Sequence, residues 1–245
     1  MFLTIYLWSI TIISVLITFP ICLILYPFVS QKTFSRLYEA IPGYIMLYSM
    51  LIPNFWNFTI IDLRTDTSWE NKRYVIVANH VSFIDSLLLV PICLKKKFMM
   101  ARIFGQMPIF GWMARMSGHV LVDKNKPNRL SSIENSGVSQ ALQTIRDGSS
   151  LCLFPEGKRE TVPYQLEEFK TGAFHIAKFA NIPILPITIK GSAEAMPIGG
   201  RVYCSNIELV IGEPFYVEDI QESISKVKQF ISYEIEKEGH TRINF

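Results

Sequence analysis

The first 31 residues of the chain carry no charged side chain, and this feature constrains the fold more than any other. The apolar run at residues 2–28 exceeds the roughly 20 residues that a membrane-spanning helix needs. A cleaved signal peptide is the alternative interpretation. No Lys or Arg precedes the run, however, and no small-residue cleavage pattern follows it. We therefore predict a retained membrane anchor.

A second uncharged stretch lies at residues 40–61, but Pro42, Gly43 and Pro53 interrupt it. Such interruptions are typical of an interfacial or re-entrant helix rather than a straight spanning one. Lys and Arg residues lie on both sides of the stretch, and cationic flanks prefer the same, cytoplasmic side of a membrane. The predicted organisation is a membrane anchor at residues 1–61, with one spanning and one interfacial helix, and a folded domain at residues 62–245.

Short β-branched runs alternate with longer amphipathic stretches after residue 61. The pattern predicts strands at residues 74–78, 98–101, 120–123, 150–154, 184–189 and 207–211, and helices at residues 82–91, 130–146, 171–180 and 218–238. This alternation predicts an α/β domain with a largely parallel mixed sheet flanked by helices. In such domains the functional groups collect at the carboxyl ends of the strands.

A histidine and an aspartate follow the first predicted strand, in the segment YVIVANHVSFIDSLLLV at residues 74–90. Asn79 and His80 occupy the predicted turn at the end of the strand, and Asp85 follows five residues after His80. A histidine can take a proton from a hydroxyl group, and a carboxylate bound to its other ring nitrogen orients it. Ser82 and Asp85 also have nearly the spacing of a capping box, so a helix N-terminus without catalytic role is the alternative.

A second polar cluster ends another predicted strand, in the segment SLCLFPEGKRE at residues 150–160. Glu156 can accept hydrogen bonds from substrate hydroxyls, and Gly157 allows the backbone to approach a ligand closely. Lys158 and Arg159 can hold a phosphate, with Arg binding in a bidentate fork. The alternative is a solvated turn with a surface ion pair. A Walker phosphate loop is excluded because no Ser or Thr follows Lys158.

Together, the two motifs resemble those of the glycerolipid acyltransferases of the 1-acylglycerol-3-phosphate acyltransferase type. NHVSFID resembles the family's His-x4-Asp motif, usually preceded by Asn. FPEGKRE is similar to its Phe-Pro-Glu-Gly-Thr-Arg-Ser motif, with Lys158 in place of Thr and Glu160 in place of Ser. PIFGWMARMSGHVLVDK, FKTGAFHIA and IPILPITIKG resemble further family segments, with Lys124 in place of the usual Arg. The resemblance covers about residues 74–191, in the family's order.

The resemblance implies an O-acyltransferase that moves a fatty acyl group from a thioester to the sn-2 hydroxyl of 1-acylglycerol-3-phosphate, giving phosphatidic acid in phospholipid synthesis. It implies that His80 is the base and that Asp85 orients it. The substrate-binding residues that it implies are Glu156, Gly157, Arg159, Lys124, Lys158 and Arg102. Acyl-CoA or acyl carrier protein would be the donor, and neither a metal nor a cofactor is expected.

The implied acceptor, lysophosphatidic acid, keeps its tail in the bilayer, which suits a membrane-attached chain with its catalytic domain on the cytoplasmic face. A formal net charge of +3 is too small and too dispersed to indicate nucleic-acid binding. Three alternatives stay open. They are an acyltransferase or transacylase for another lysophospholipid, a non-catalytic lipid-binding membrane module, and a lipid hydrolase in which water replaces the alcohol.

Overall fold

The computed structural model describes residues 1–28, 44–45, 47–68, 72–92, 95–123, 137–159, 162 and 164–237. The chain divides into two compact units. The first unit contains Met1–Phe55 and Ser86–Cys152, and the second contains Trp56–Asp85 and Leu153–Phe245. Both predicted motifs, from Asn79 to Asp85 and from Phe154 to Arg159, fall in the second unit.

Helices and strands alternate along most of the described chain. In chain order they are α1 Phe2–Leu25, β1 Trp56–Asp62, β2 Val75–Ala78, α2 Asp85–Leu88, β3 Lys96–Ala101, α3 Phe110–Met116, β4 Val120–Val122, α4 Gly137–Arg146, β5 Ser150–Leu153, α5 Gly172–Ala180, β6 Ile184–Lys190, α6 Ser192–Ala195, β7 Ser205–Ile211 and α7 Ile220–Glu236. A 3₁₀ turn at Arg102–Gln106 links β3 to the segment before α3.

In the first unit, α1 is an uncharged helix of 24 residues. At about 1.5 Å per residue it is some 36 Å long. Among the described residues it is the one helix with the length and apolar composition to cross a bilayer. The Tyr6 hydroxyl donates to the carbonyl of Ser49 at 3.2 Å, and the Tyr6 ring packs edge-on against Phe55. The helical residues 47–51 therefore lie beside the N-terminal part of α1.

The rest of the first unit is built on β3, which pairs in parallel with both β4 and β5. In the second unit the strand order is β1-β7-β6-β2. The β1–β7 and β2–β6 pairs are parallel, and the β6–β7 pair is antiparallel. β2 is buried along its whole length, and β6 is buried up to its last residue, which places the end of β2 inside the core.

These units confirm the predicted fold class, because mixed, mostly parallel strands are flanked by helices in an α/β arrangement. All six predicted strands are present with ends shifted by at most two residues, and so are the predicted helices that became α5 and α7. The helix predicted at residues 82–91 shortens to α2, and the helix predicted at residues 130–146 is described only from Gly137. The sequence patterns missed α3 and α6.

The largest difference concerns residues 56–61, which were predicted to belong to an interfacial helix. They form most of β1, whose Trp56 side chain is buried and whose ladder partner is β7. The first five residues of β1, WNFTI, alternate apolar and polar side chains, which is a strand signal, but they close a long uncharged stretch that was assigned as a whole to the membrane segment. The partner strand comes from about 150 residues later in the chain, so the pairing itself could not be read from neighbouring residues. The predicted domain boundary and the membrane role of residues 1–61 stay predictions.

Candidate active site

The turn after β2 is attached to β6 through the side chain of Asn79. Its Nδ2 donates to the carbonyl of Ile189 at 2.9 Å, and its Oδ1 accepts from the Ile189 N–H at 2.8 Å. Asn79 is completely buried, so its amide satisfies two backbone groups that would otherwise be left without partners. The asparagine before the histidine thus has a structural function, which is to hold the turn against the neighbouring strand.

His80 and Asp85 are in direct contact, as the sequence predicted. His80 Nδ1 lies 2.8 Å from Asp85 Oδ2, and the Asp85 side chain is fully buried whereas that of His80 is 19% exposed. The same Oδ2 atom accepts hydrogen bonds from the N–H groups of Val81 and Ser82, at 2.8 Å and 2.7 Å. Because Asp85 Oδ2 already accepts two backbone N–H groups, it carries no proton of its own. The hydrogen bond between Asp85 and His80 is therefore donated by Nδ1 of His80. The neutral ring therefore carries its lone pair on Nε2, the other nitrogen.

Asp85 combines the two interpretations that the sequence left open. Its bond to the Ser82 N–H is the return half of a capping box, at the start of α2. The forward half is absent, because the Asp85 N–H donates to the Ser82 carbonyl at 3.4 Å and not to the Ser82 hydroxyl. That hydroxyl donates to the carbonyl of Met196 at 2.6 Å. One carboxylate oxygen therefore both caps a short helix and orients a histidine.

The second motif supports His80 from two sides. The ring of Phe154 stacks on the His80 ring with centroids 4.0 Å apart and planes 12° apart. Glu156 is buried, and its Oε1 accepts a hydrogen bond from the His80 N–H at 3.0 Å. Gly157 adopts a φ of +71°, where a side chain would be strained, and its N–H donates to the Phe154 carbonyl. The turn thus holds Phe154 and Glu156 against the histidine.

The basic residues predicted to bind substrate are less concentrated than the acid–base pair. Lys158 is exposed and forms an ion pair with Glu167 at 2.6 Å, and Arg159 is exposed without a hydrogen bond or ion pair among the described residues. Arg102 belongs to the first unit, where it binds Asp123 at 2.9 Å. Lys124 lies outside the described residues. The substrate-binding roles of these residues stay predictions.

Tyr164 is a site component that the sequence motifs did not reveal. Its hydroxyl donates to Glu194 Oε2 at 2.7 Å and accepts from the Gly191 N–H at 2.7 Å. Burial, followed by the nearby Glu194 carboxylate, raises the pKa of the Tyr164 hydroxyl strongly, so it stays protonated. Its φ of +65° is unusual for a bulky residue. Tyr164 thereby ties the segment after the second motif to the turn between β6 and α6.

The arrangement can carry out general-base chemistry on a hydroxyl group. A partly exposed histidine, with Nε2 not bonded to any described residue, a buried carboxylate on Nδ1 and a stacked aromatic ring, is a preorganised proton acceptor. Among the described residues no group of His, Cys, Asp and Glu has the arrangement of a metal site. The fold and this site define an α/β protein with a histidine–aspartate pair at the carboxyl end of a strand.

Comparison with known proteins agrees with this class. The family model described as Acyltransferase matches residues 60–190, which is more than half of the chain. The chain belongs to the acyltransferase family.

Related proteins carry one recurring name. The chain is 30% identical over 181 residues to a 1-acyl-sn-glycerol-3-phosphate acyltransferase of Chlamydomonas reinhardtii. The aligned region covers 70% of this chain and 53% of that protein. The chain is 27% identical over 207 residues to the chloroplastic enzyme of that name from Arabidopsis thaliana, covering 84% and 54%. The chain thus spans about half the length of the curated relatives it matches.

A solved structure has the same fold. The 1-acyl-sn-glycerophosphate (LPA) acyltransferase PlsC from Thermotoga maritima superposes with a TM-score of 0.77 and 19% sequence identity, covering 99% of this chain and 97% of that one. At this level of identity the likeness extends to the architecture alone.

Proposed function

We propose that the protein transfers a fatty acyl group from a thioester donor to the sn-2 hydroxyl of 1-acylglycerol-3-phosphate, giving phosphatidic acid. The single observation that carries the proposal is the contact between His80 Nδ1 and the buried Asp85 carboxylate, which leaves Nε2 of His80 available to accept a proton. Membership of the acyltransferase family and the shared name of the relatives support the acceptor.

In the proposed reaction, His80 Nε2 removes the proton of the acceptor hydroxyl as its oxygen attacks the carbonyl carbon of the thioester. Asp85 stabilises the imidazolium that forms. The carbon–sulfur bond then breaks, the thiolate leaves, and it takes the proton from His80. No covalent acyl-enzyme and no cofactor are needed, since the thioester is itself an activated acyl donor, either acyl-CoA or acyl carrier protein.

The exposed cations of the second motif are proposed to bind the acceptor phosphate. Arg159 is exposed and makes no ion pair among the described residues, and a guanidinium group suits a phosphate in bidentate geometry. Lys158 would have to exchange its bond to Glu167 for the phosphate. We also propose that Lys124 assists at the phosphate. Arg102 is proposed to contact the acyl donor or the oxyanion, which requires it to leave Asp123 when substrate binds.

We further propose that the protein works at a membrane, with its catalytic domain on the cytoplasmic face. The uncharged helix α1 supports the membrane attachment, because most of its apolar side chains are exposed in the structure and need a nonaqueous environment. The cytoplasmic face is proposed from the Lys and Arg residues on both sides of the second uncharged stretch. A membrane-bound enzyme can meet a monoacylated acceptor without extracting its whole tail from the bilayer.

The test is an assay of membranes containing the full chain, with labelled acyl-CoA and a panel of lysolipid acceptors, comparing the wild type with His80→Ala. His175→Ala is the matched control, since His175 is exposed on α5, where it stacks on Phe179. We expect transfer to lysophosphatidic acid that falls by about 10²–10⁴-fold in His80→Ala and is unchanged in His175→Ala.

Other outcomes separate the alternatives. Transfer only to a zwitterionic or neutral lysolipid would support His80 as the base and contradict lysophosphatidic acid as the acceptor. The ion pair between Lys158 and Glu167 would then indicate that Lys158 is not available to a phosphate. Release of free fatty acid without transfer would indicate a hydrolase. No transfer with either acyl-CoA or acyl carrier protein as donor would favour the non-catalytic lipid-binding module.

A further inference from the structure

The first unit contains a second apolar surface apart from α1. Residues 103–114, IFGQMPIFGWMA, include no charged residue, and they cover most of the 3₁₀ turn and the first part of α3. Five of their large apolar side chains are exposed, namely Ile103 by 68%, Phe104 by 44%, Met107 by 48%, Phe110 by 42% and Trp112 by 51%. We call these five residues the apolar patch. A cluster of large exposed apolar side chains of this kind marks an interaction surface.

Close backbone packing fixes the conformation of the patch. A Cβ atom at Gly111 would lie 2.2 Å from the carbonyl oxygen of Gly105, so α3 can approach the 3₁₀ turn only with glycine at this position. Ile109, between them, has a φ of +61°, which is rare for a β-branched residue and strains the backbone. Phe104 and Phe110 contact each other edge to face across this turn. The fold thus holds the apolar side chains outward at the expense of local strain.

The patch is continuous with α1. The ring of Phe19, near the end of α1, stacks on Trp112 with centroids 5.8 Å apart and planes 21° apart. The exposed side chains of α1 around Phe19 are apolar, for example Leu16, Ile17 and Leu23. Because Trp112 of the patch stacks on Phe19, the medium that surrounds this part of α1 also surrounds the patch.

Charged residues occur at both ends of the patch. Arg102 precedes it and is paired with Asp123, and Arg115 follows it, exposed in the last turn of α3. An apolar segment containing an exposed Trp and bordered by Arg is typical of the boundary between lipid headgroups and acyl chains, where Trp rings concentrate and Arg meets phosphates.

We propose that the apolar patch inserts into this boundary of the bilayer beside α1, as a second membrane contact of the first unit. The inference rests on the membrane attachment proposed above. Because the lipid contact covers Ile103, Phe104, Met107, Phe110 and Trp112, it provides the nonaqueous surroundings that these side chains lack in the isolated chain. It would also fix the orientation of the first unit, since one helix alone leaves rotation about its axis free.

The test uses the full chain with its native cysteines replaced and one new cysteine, Met107→Cys, that carries an environment-sensitive fluorophore. Ile198→Cys is the matched control, because Ile198 is 52% exposed and belongs to the second unit. Both proteins are reconstituted into vesicles of phosphatidylcholine and phosphatidylglycerol, with and without brominated acyl chains. The proposal expects a blue-shifted emission and loss of intensity to brominated lipid at residue 107, with residue 198 unaffected.

A substitution that introduces a charge into the patch provides a second test. In the protein labelled at residue 107, Phe110→Asp is expected to remove the blue shift and the quenching, while circular dichroism shows the fold intact. Equal behaviour of the labels at residues 107 and 198 would overturn the proposal. A blue shift that is insensitive to brominated lipid but accompanied by energy transfer between labelled copies would overturn it in favour of a dimer interface. No step of this experiment measures acyl transfer. A negative result for the apolar patch is therefore distinct from a failure of the proposed reaction.

Discussion

The backbone N–H of His80 donates to Oε1 of Glu156 at 3.0 Å, across 76 residues of sequence. This bond joins the two motifs directly at the proposed base, and the Glu156 side chain that accepts it is buried. The resemblance to the glycerolipid acyltransferases implied a different role for Glu156, in binding the glycerol hydroxyls. The geometry gives Oε1 a positioning role, in which it fixes the backbone of His80, and the binding of glycerol hydroxyls by Glu156 stays a prediction.

Glu156→Gln is expected to lower kcat by less than about tenfold and to leave the KM for the acceptor unchanged, because the Gln carbonyl can still accept from the His80 N–H. Glu156→Ala is expected to lower kcat much further, since a buried N–H without a partner costs about 1–3 kcal/mol and frees the turn. Steady-state kinetics on both variants checks this, with the exposed Glu222→Gln on α7 as control. A raised KM with normal kcat in Glu156→Gln would instead show contact with the acceptor.

Substitutions of Asp85 can separate its two functions. Asp85→Asn keeps one oxygen for the N–H groups of Val81 and Ser82 but removes the charge that stabilises the imidazolium. We expect kcat to fall by about 10²–10⁴-fold with little change in the free energy of unfolding. Asp85→Ala should lose activity and also about 2–6 kcal/mol of stability, because two buried N–H groups lose their acceptor.

Asp219→Ala is the control for the Asp85 variants, since Asp219 caps α7 by accepting from the Glu222 N–H at 2.9 Å. Loss of this cap should cost about 0.5–2 kcal/mol without affecting kcat. Denaturant unfolding in detergent and kinetics on the same preparations provide both readouts. Retained kcat in Asp85→Asn, with stability lost only in Asp85→Ala, would reduce Asp85 to a helix cap.

Asn79→Asp should destabilise the second unit although the two side chains have the same shape. The new oxygen would face the Ile189 carbonyl, to which Nδ2 now donates, inside a fully buried site. We expect a loss of about 1–3 kcal/mol in the free energy of unfolding, measured in denaturant. Asn57→Asp, at an exposed position of β1, is the matched control and should be nearly neutral. A neutral effect at both positions would contradict the proposed anchoring of the turn.

His119 is expected to make stability dependent on pH. Its Nδ1 accepts a hydrogen bond from the Phe98 N–H at 3.2 Å, which a protonated ring cannot do. Burial, and then the charges of Lys97 and Lys96, lower the pKa of His119 from 6.5 to about 3. As the pH falls from 6.5 toward 3, the unfolded chain therefore binds a proton that the folded chain does not, and stability decreases.

The contribution of His119 is at most about 1.4 kcal/mol per pH unit across this window and vanishes above it. His119→Asn, which keeps an acceptor near the position of Nδ1, should flatten the pH dependence of the unfolding midpoint between pH 6.5 and 3. His175→Asn, at an exposed position, should leave the dependence as it is. An unchanged slope in His119→Asn would show that His119 is protonated in the folded protein.

The local features of the fold could be predicted because they depend on neighbours in sequence. β2 and β5 are short uninterrupted apolar runs and α7 has a helical apolar period, so their burial pattern is legible in the chain. The His80–Asp85 contact belongs to the same class, since five residues of turn and helix start bring both side chains together. β1 escaped prediction because its alternating run WNFTI closes a long uncharged stretch that was assigned as a whole to the membrane segment, and its pairing with β7 shows that the run is a strand.

Composition and spacing in the chain were sufficient to indicate an uncharged helix, an α/β domain and a histidine paired with an aspartate. They could not determine which polar atoms would meet, because hydrogen bonding depends on positions brought together from distant segments. Folding directs the Asn79 amide to Ile189, the Ser82 hydroxyl to Met196 and the Glu156 carboxylate to the backbone of His80. Burial makes each of these partners obligatory, since an unpaired polar group in the core costs more than the bond itself contributes.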